Sequence, residues 1–257
     1  GHADLTMKSG WLAFPGVFEE PRIALDQLKA RVTWTRRTVK GAEPDWSVQV
    51  RQASFANADA QGTVSAIWRT SAASERNAHG QPLARLPGVL TLEGRLTRGE
   101  ATRVWRYLPL SIPTDTRDYV RQAFRSGHAE NVTFEVRGAL DDFPFKNDVG
   151  GLFRVRVPIQ QVVMDYVPPA LLGLATDART GYWPAFTSLE GLLRFEGQRM
   201  VIEGARGMLG TTGTGRFTLS DVSGRVDDLG ADEPHLTIQG RGTGPLDDVL
   251  RFLAVSP

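Results

Sequence analysis

The chain has 257 residues, of which 41% are hydrophobic and 23% charged. That is enough for an elongated domain with a real core, and too apolar for a disordered tail. Net charge is +1, which excludes a strong built-in field for nucleic acid or anionic membranes. Cysteine is absent, which excludes disulfides and thiolate chemistry and fits an oxidising compartment.

Period-2 alternation begins in the first third, with Val32-Trp34, Val48-Val50, Val64-Ala66-Trp68 and Leu90-Leu92 as strand faces. Ser74 to Gln81 reads as a flexible polar hairpin loop, with His79 inside it. Glu100 to Leu108 reads as a short helix stopped by Pro109. Asp115 to Ser126 reads as a second, capped by Thr114 or Asp115 and stopped at Gly127. Val132, Phe134 and Val136 then alternate with polar residues, as do Phe153, Val155, Val157 and Ile159. Shorter runs follow at Leu193-Phe195, Met200-Ile202, Phe217-Leu219 and Leu236-Ile238. Leu246 to Leu253 has helical spacing behind Pro245. Glycines at 62, 94, 138, 191, 204, 215 and 240 mark expected turns or bulges.

The chain also repeats itself. Leu90 to Thr97 parallels Leu236 to Thr243, each leading into a helix. Leu28-x-Ala30-x-Val32-x-Trp34 parallels Leu189-x-Gly191-x-Leu193-x-Phe195. Val48-x-Val50-x-x-Ala53 parallels Met200-x-Ile202-x-x-Ala205. This predicts residues 1–10 as expression scar and lead-in, 11–109 as a first β unit, 110–183 as a connector, and 184–257 as a second unit. The fold class is mainly β: an elongated, curved antiparallel sheet, either a groove or an open sandwich, with a few short helices.

Sites for chemistry are sparse. His2, His79, His128 and His235 have no metal-ligand spacing. Asp141-Asp142, Asp227-Asp228 and Asp247-Asp248 read as turn or first-turn acids. Gly207 to Gly215 runs into strand-like residues, so a glycine-rich hairpin is expected rather than a phosphate loop. No serine has a nucleophile-elbow context. No cofactor, no metal, no nucleic-acid partner and no enzymatic activity are expected. The longest nearly apolar run, Tyr166 to Ala175, is too short and too proline-rich to span a bilayer.

Several stretches resemble the YhdP-type branch of the AsmA-like proteins of Gram-negative bacteria. They are Phe14 to Pro21 followed by Leu25 to Leu28, Ala56 to Gly62, Arg106 to Pro109, Gly138 to Phe145 with Gly151-x-Phe153, and Tyr182 to Pro184. The resemblance covers nearly the whole chain and contains no catalytic motif. It implies a bridge-like lipid-transfer protein of the AsmA and TamB class, in the periplasm and anchored in the inner membrane. This chain would be an internal piece, with its anchor lying outside it. The partners implied are phospholipid acyl chains, adjacent repeats of the full-length protein, and membranes reached through other segments.

On that reading an apolar groove is lined by Phe134, Val136, Phe153, Val155, Val157, Ile159, Leu193, Phe195, Ile202, Phe217, Leu219, Leu236 and Ile238. The alternative is a periplasmic scaffold in which the same side chains fill a closed core and sheet edges dock partners. A dry, packed face favours the scaffold; an uncovered one favours the groove.

Overall fold

The computed structural model describes residues 1–38, 41, 43–168, 185–210, 217–247 and 250. Strands β1 (His2–Ala13), β2 (Arg22–Arg37), β3 (Asp45–Ala56), β4 (Ala60–Arg69) and β5 (Val89–Glu100) run up and down in order. A 3-10 segment, Ala101–Tyr107, and helix α1 (Thr114–Ala123) follow. Then come β6 (Phe124–Ala129), β7 (Val132–Ala139), β8 (Gly151–Met164), β9 (Phe186–Glu196), β10 (Arg199–Leu209), β11 (Phe217–Val226) and β12 (Leu236–Thr243). All twelve form one elongated, curved antiparallel sheet. β6 and β7 share the column between β5 and β8, lying end to end.

Alternation explains why these segments pair. Side chains directly opposite in an antiparallel ladder share a face, so each register carries the apolar face onto the next strand. Val32, Val50, Ala66, Leu92, Val136 and Phe153 form one row from β2 to β8. The opposite face carries Arg31, Arg51, Glu135, Arg154, Arg194 and their neighbours.

No second sheet covers the apolar face among the described residues. The consequence is a large surface, 15953 Å² for a 28.2 kDa chain. A compact protein of that mass exposes about 11,000 Å². The fully buried apolar cluster is small, consisting of Ile23, Leu25 and Leu28.

β2–β5 and β9–β12 are both four-strand meanders. In each, the second strand bulges at the same point. Pairing slips between Val50 and Ala53, and again between Ile202 and Ala205. The bulging residues, Gln52 and Gly204, have φ of 44° and 55°. Bulges at Gln161 in β8, Gly204 in β10 and Asp221 in β11 lie at matching heights on nearby strands. An aligned row of bulges bends a sheet along one line.

Several expectations are corrected. Residues 1–10 lie within edge strand β1 and its approach rather than in a lead-in. α1 ends at Ala123, and Phe124 to Ser126 belong to β6. Pairing of Phe124 with Met164 of β8 supplies the backbone hydrogen bonds that a longer helix would have made. Gly127 is therefore a strand residue, not a helix stop, and His128 follows it within β6. The α1 N-cap is Pro113, not Thr114 or Asp115. The short helix before Pro109 is 3-10.

Gly204 is a bulge as expected, and Gly62 sits at a register shift between β4 and β5, but Gly94, Gly138 and Gly240 sit inside strands and close against a neighbour. Residues 211–216 with Gly215, residues 169–175 of the Tyr166 to Ala175 run, Tyr182 to Pro184 and most of Leu246 to Leu253 lie outside the described residues.

Gly94 shows what the close approach requires. A Cβ there would lie 2.7 Å from Phe134 Cε2 and 2.8 Å from the Thr63 carbonyl. The ring of Phe134 thus covers a glycine on the next strand. Gly94→Ala is expected to destabilise the sheet by about 1–3 kcal/mol, since overpacking forces both neighbours to move. A shift of the urea midpoint at constant m-value measures it; an unchanged midpoint contradicts it.

Candidate functional site

The apolar face is the candidate site. From β7 onward, Phe134, Val155, Phe195, Met200, Val226 and Leu236 stand in one row across six strands. Val157, Leu193, Ile202, Gly224 and Ile238 form the next. Val136 pairs with Phe153, and Ile159 with Gly191. Leu219 and Phe217 continue the face beyond the β11 bulge, opposite Gly207 and Leu209. The register therefore brings all thirteen residues named from sequence onto one side of one sheet.

Burial is incomplete along this face. Of the thirteen, only Val136 is buried, at 8% exposure. Most are half-buried, and Ile238 is 56% exposed. Further residues continue the same rows, Met200 and Val226 and, in the first half, Val32, Val50, Ala66 and Leu92, while Trp34, Val48, Trp68 and Leu90 form a parallel row on the same face. Their signal was the same alternation.

Strand ends form two lips along this face. At the first lip, the 14–21 loop and the 101–123 excursion fold over the sheet. Tyr107 and Phe18 pack on Ile23, Leu25 and Leu28, with Met7 and Phe55 alongside. A polar network holds this cap. Arg106 reaches Asp59 at 2.5 Å and Glu20 at 2.7 Å. Tyr107 donates to Asp59 at 3.0 Å and accepts from Asn57 at 2.9 Å. Burial pushes the Tyr107 phenol up to about 12. Glu19 accepts from Arg117 at 2.7 Å and Arg121 at 2.5 Å, and its carboxyl is held below the usual range, chiefly by the Arg121 hydrogen bond. The Arg121 guanidinium in turn stacks 4.0 Å above Trp105.

At the second lip, the β7–β8 connection folds Phe143 and Phe145 inward. Phe143 meets Phe153 at 5.1 Å between ring centroids, and Phe145 is fully buried. Gly138 and Gly151 make room for it, since a Cβ on either would lie within 2.8 Å of its ring. Phe145 adopts φ 59°, a left-handed conformation that a non-glycine residue holds only when packing repays the strain. Lys146 ties this loop to Asp228 at 2.6 Å, and Asp142 accepts from the Ala78 backbone at 3.0 Å. Ser74 to Gln81 is thus pinned rather than free. Arg69 adds a fork to Glu75 at 2.5 Å.

Two polar clefts lie outside this face. One, of about 240 Å³, lies among Lys146, Asp148, Glu196, Arg199 and Asp227. The other, of about 360 Å³, lies among Arg98, Glu100, Ser126, His128 and Glu130. Ser126 and His128 share that cleft, but no hydrogen bond joins them among the described residues. No group of three or more His, Asp or Glu gathers at metal-binding distance among the described residues. No helix among them is long and apolar enough to cross a membrane.

Two predictions follow from the lips. Asp59→Ala removes the partner of Arg106 and Tyr107. It is expected to cost about 2–3 kcal/mol, the range for hydrogen bonds to buried charge. Amide exchange should rise across 14–21 and 101–107 before the rest of the sheet; uniform exchange would contradict it. At the second lip, Glu75 is held at about 2 from 4.5, first by its Arg69 hydrogen bond and then by the Ala72 N–H. A depressed carboxylate stabilises fully above its unfolded value. Protection of the 70–88 loop should therefore fade as pH falls from about 4.5 to about 2. Glu75→Gln should abolish that dependence; a persistent fade would assign it to other acids.

A family model described as "YhdP protein" matches residues 1–257. The "Intermembrane phospholipid transporter YhdP" of Escherichia coli (strain K12) is 29% identical over 116 residues, which is 45% of this chain. The match spans only 8% of that relative's length. No solved structure matches the chain significantly. Since the family model covers the whole chain, the chain belongs to the YhdP protein family.

Proposed function

We propose that this chain is a non-catalytic segment of a larger cell-envelope protein, and that its apolar face is a groove for phospholipid acyl chains. The observation that carries the reading is one continuous apolar face, from β2 to β12, with no described segment packed over its middle. Such a face costs free energy in water, and acyl chains would recover about 0.8 kcal/mol per buried methylene without any directional contact. That accounts for a binding surface with no motif.

Family membership and the named activity of the Escherichia coli relative support the same reading. On this reading the segment would lie in the periplasm, within a protein anchored in the inner membrane. Cargo would be phospholipid moving between inner and outer membranes. Adjacent repeats of the longer protein would pair with the outer edges of β1 and β12. β12 is exposed along its whole length, as a strand awaiting a neighbour would be.

Native mass spectrometry with organic extraction tests the groove. Co-purifying phospholipid is expected. Val155→Glu with Ile238→Glu should abolish it while far-UV circular dichroism stays unchanged, because Ile238 is exposed and Val155 only half-buried. A lipid-free protein that also fails to take up fluorescent phospholipid from vesicles would contradict the groove and favour a scaffold that docks partners at its sheet edges.

A further inference from the structure

The groove reading leaves open which way a lipid lies across the strands, and the residues on β2–β5 address that. Arg36 stands opposite Trp46 at the second lip. One pleat further in, Trp34, Val48, Trp68 and Leu90 form a row. The next row, Val32, Val50, Ala66 and Leu92, is wholly aliphatic. Deeper still, Leu28 and Phe55 lie in the cluster sealed by Tyr107 and Phe18 at the first lip.

The polarity therefore runs one way: a cation, then indoles, then aliphatic side chains, then a closed end. Arg36 lies over Trp46, with its guanidinium 5.8 Å from the ring centroid. The acids nearest this lip are otherwise engaged, since Glu43 and Asp45 both pair with Arg85. Arg36 is thus presented on the apolar face with no carboxylate neutralising it among the described residues. Trp34 and Trp46 are 37% and 38% exposed. Trp68 keeps its ring on the face while its Nε1 donates to the Pro87 carbonyl at 2.8 Å.

Indoles favour the level where polar headgroup meets hydrocarbon, because the ring is apolar and its edge is polar. A guanidinium matches a phosphate diester in charge and donor geometry. Length fits too. Eight residues separate Arg36 from Leu28, a rise of about 26 Å. Half of the ~30 Å hydrocarbon core of a bilayer is about 15 Å, so one acyl layer fits between them.

Resting on the groove reading, we infer that the lip formed by Arg36, Trp34, Trp46 and Trp68 holds the phosphate and glycerol of a glycerophospholipid. The acyl chains run from there toward Leu28 and the closed first lip.

Depth-dependent fluorescence quenching tests the orientation. Trp11→Phe, Trp105→Phe and Trp183→Phe leave Trp34, Trp46 and Trp68 as the emitters. The protein is loaded from phosphatidylcholine vesicles carrying one nitroxide, either on the headgroup or near the terminal methyl of an acyl chain. Native mass spectrometry of the same samples measures uptake separately. The headgroup nitroxide should quench several-fold more strongly than the methyl-end one, and Arg36→Gln should weaken that quenching. Equal or stronger quenching from the methyl end, with uptake intact, overturns the orientation. Unchanged quenching in Arg36→Gln removes Arg36 from the phosphate site. Absence of uptake with either lipid removes the groove reading and this inference with it.

Discussion

A single antiparallel sheet with one apolar face and no second layer is an incomplete structure in water. Hydrophobic stabilisation scales with area removed from solvent, and this sheet removes little of its inner face by itself. The rest of the molecule can be understood as a response to that constraint. Where strands end, connecting segments fold back and cover the face locally. Across the middle no described segment does, and most of the aliphatic and aromatic side chains there stay half-buried.

The two lips meet the constraint differently. The first is closed by Tyr107 and Phe18 over Leu28, with Asp59, Arg106, Glu19 and Arg117 tying the covering segments down. Asp59 is only 5% exposed, so its charge needs both Arg106 and the Tyr107 hydroxyl. The second lip is covered over β7 and β8 by Phe143 and Phe145, while over β2–β5 it presents tryptophans and an arginine with no carboxylate partner among the described residues. One end of each acyl chain would therefore meet a seal and the other a polar boundary.

Shape comes from backbone irregularity. Bulges at Gln52 and Gly204 fall at the same place in two four-strand units, and those at Gln161 and Asp221 accompany the second. Each leaves one residue unpaired and increases local twist, so an aligned set curves the sheet without breaking its ladders. Glycines at positions such as 94, 138 and 151 serve another purpose. They let Phe134 and Phe145 lie flat against the sheet where a Cβ would hold them off.

Alternation in the sequence determined which segments are strands and which side chains share a face, because the side-chain period of a strand is a local property. The thirteen face residues were legible for that reason. So was the first half of the face, although its rows were not singled out. Local pattern could not determine what covers the face. Whether Phe145 folds inward, whether β6 replaces the last turn of a helix, and whether a second sheet packs above all depend on distant pairing. Phe124 follows a helical pattern yet pairs with Met164, forty residues away, because that ladder satisfies its backbone. The polarity across the groove is of the same kind. Arg36, Trp46, Trp34 and Trp68 come from three strands, and only register places a cation and three indoles on one lip opposite a sealed one.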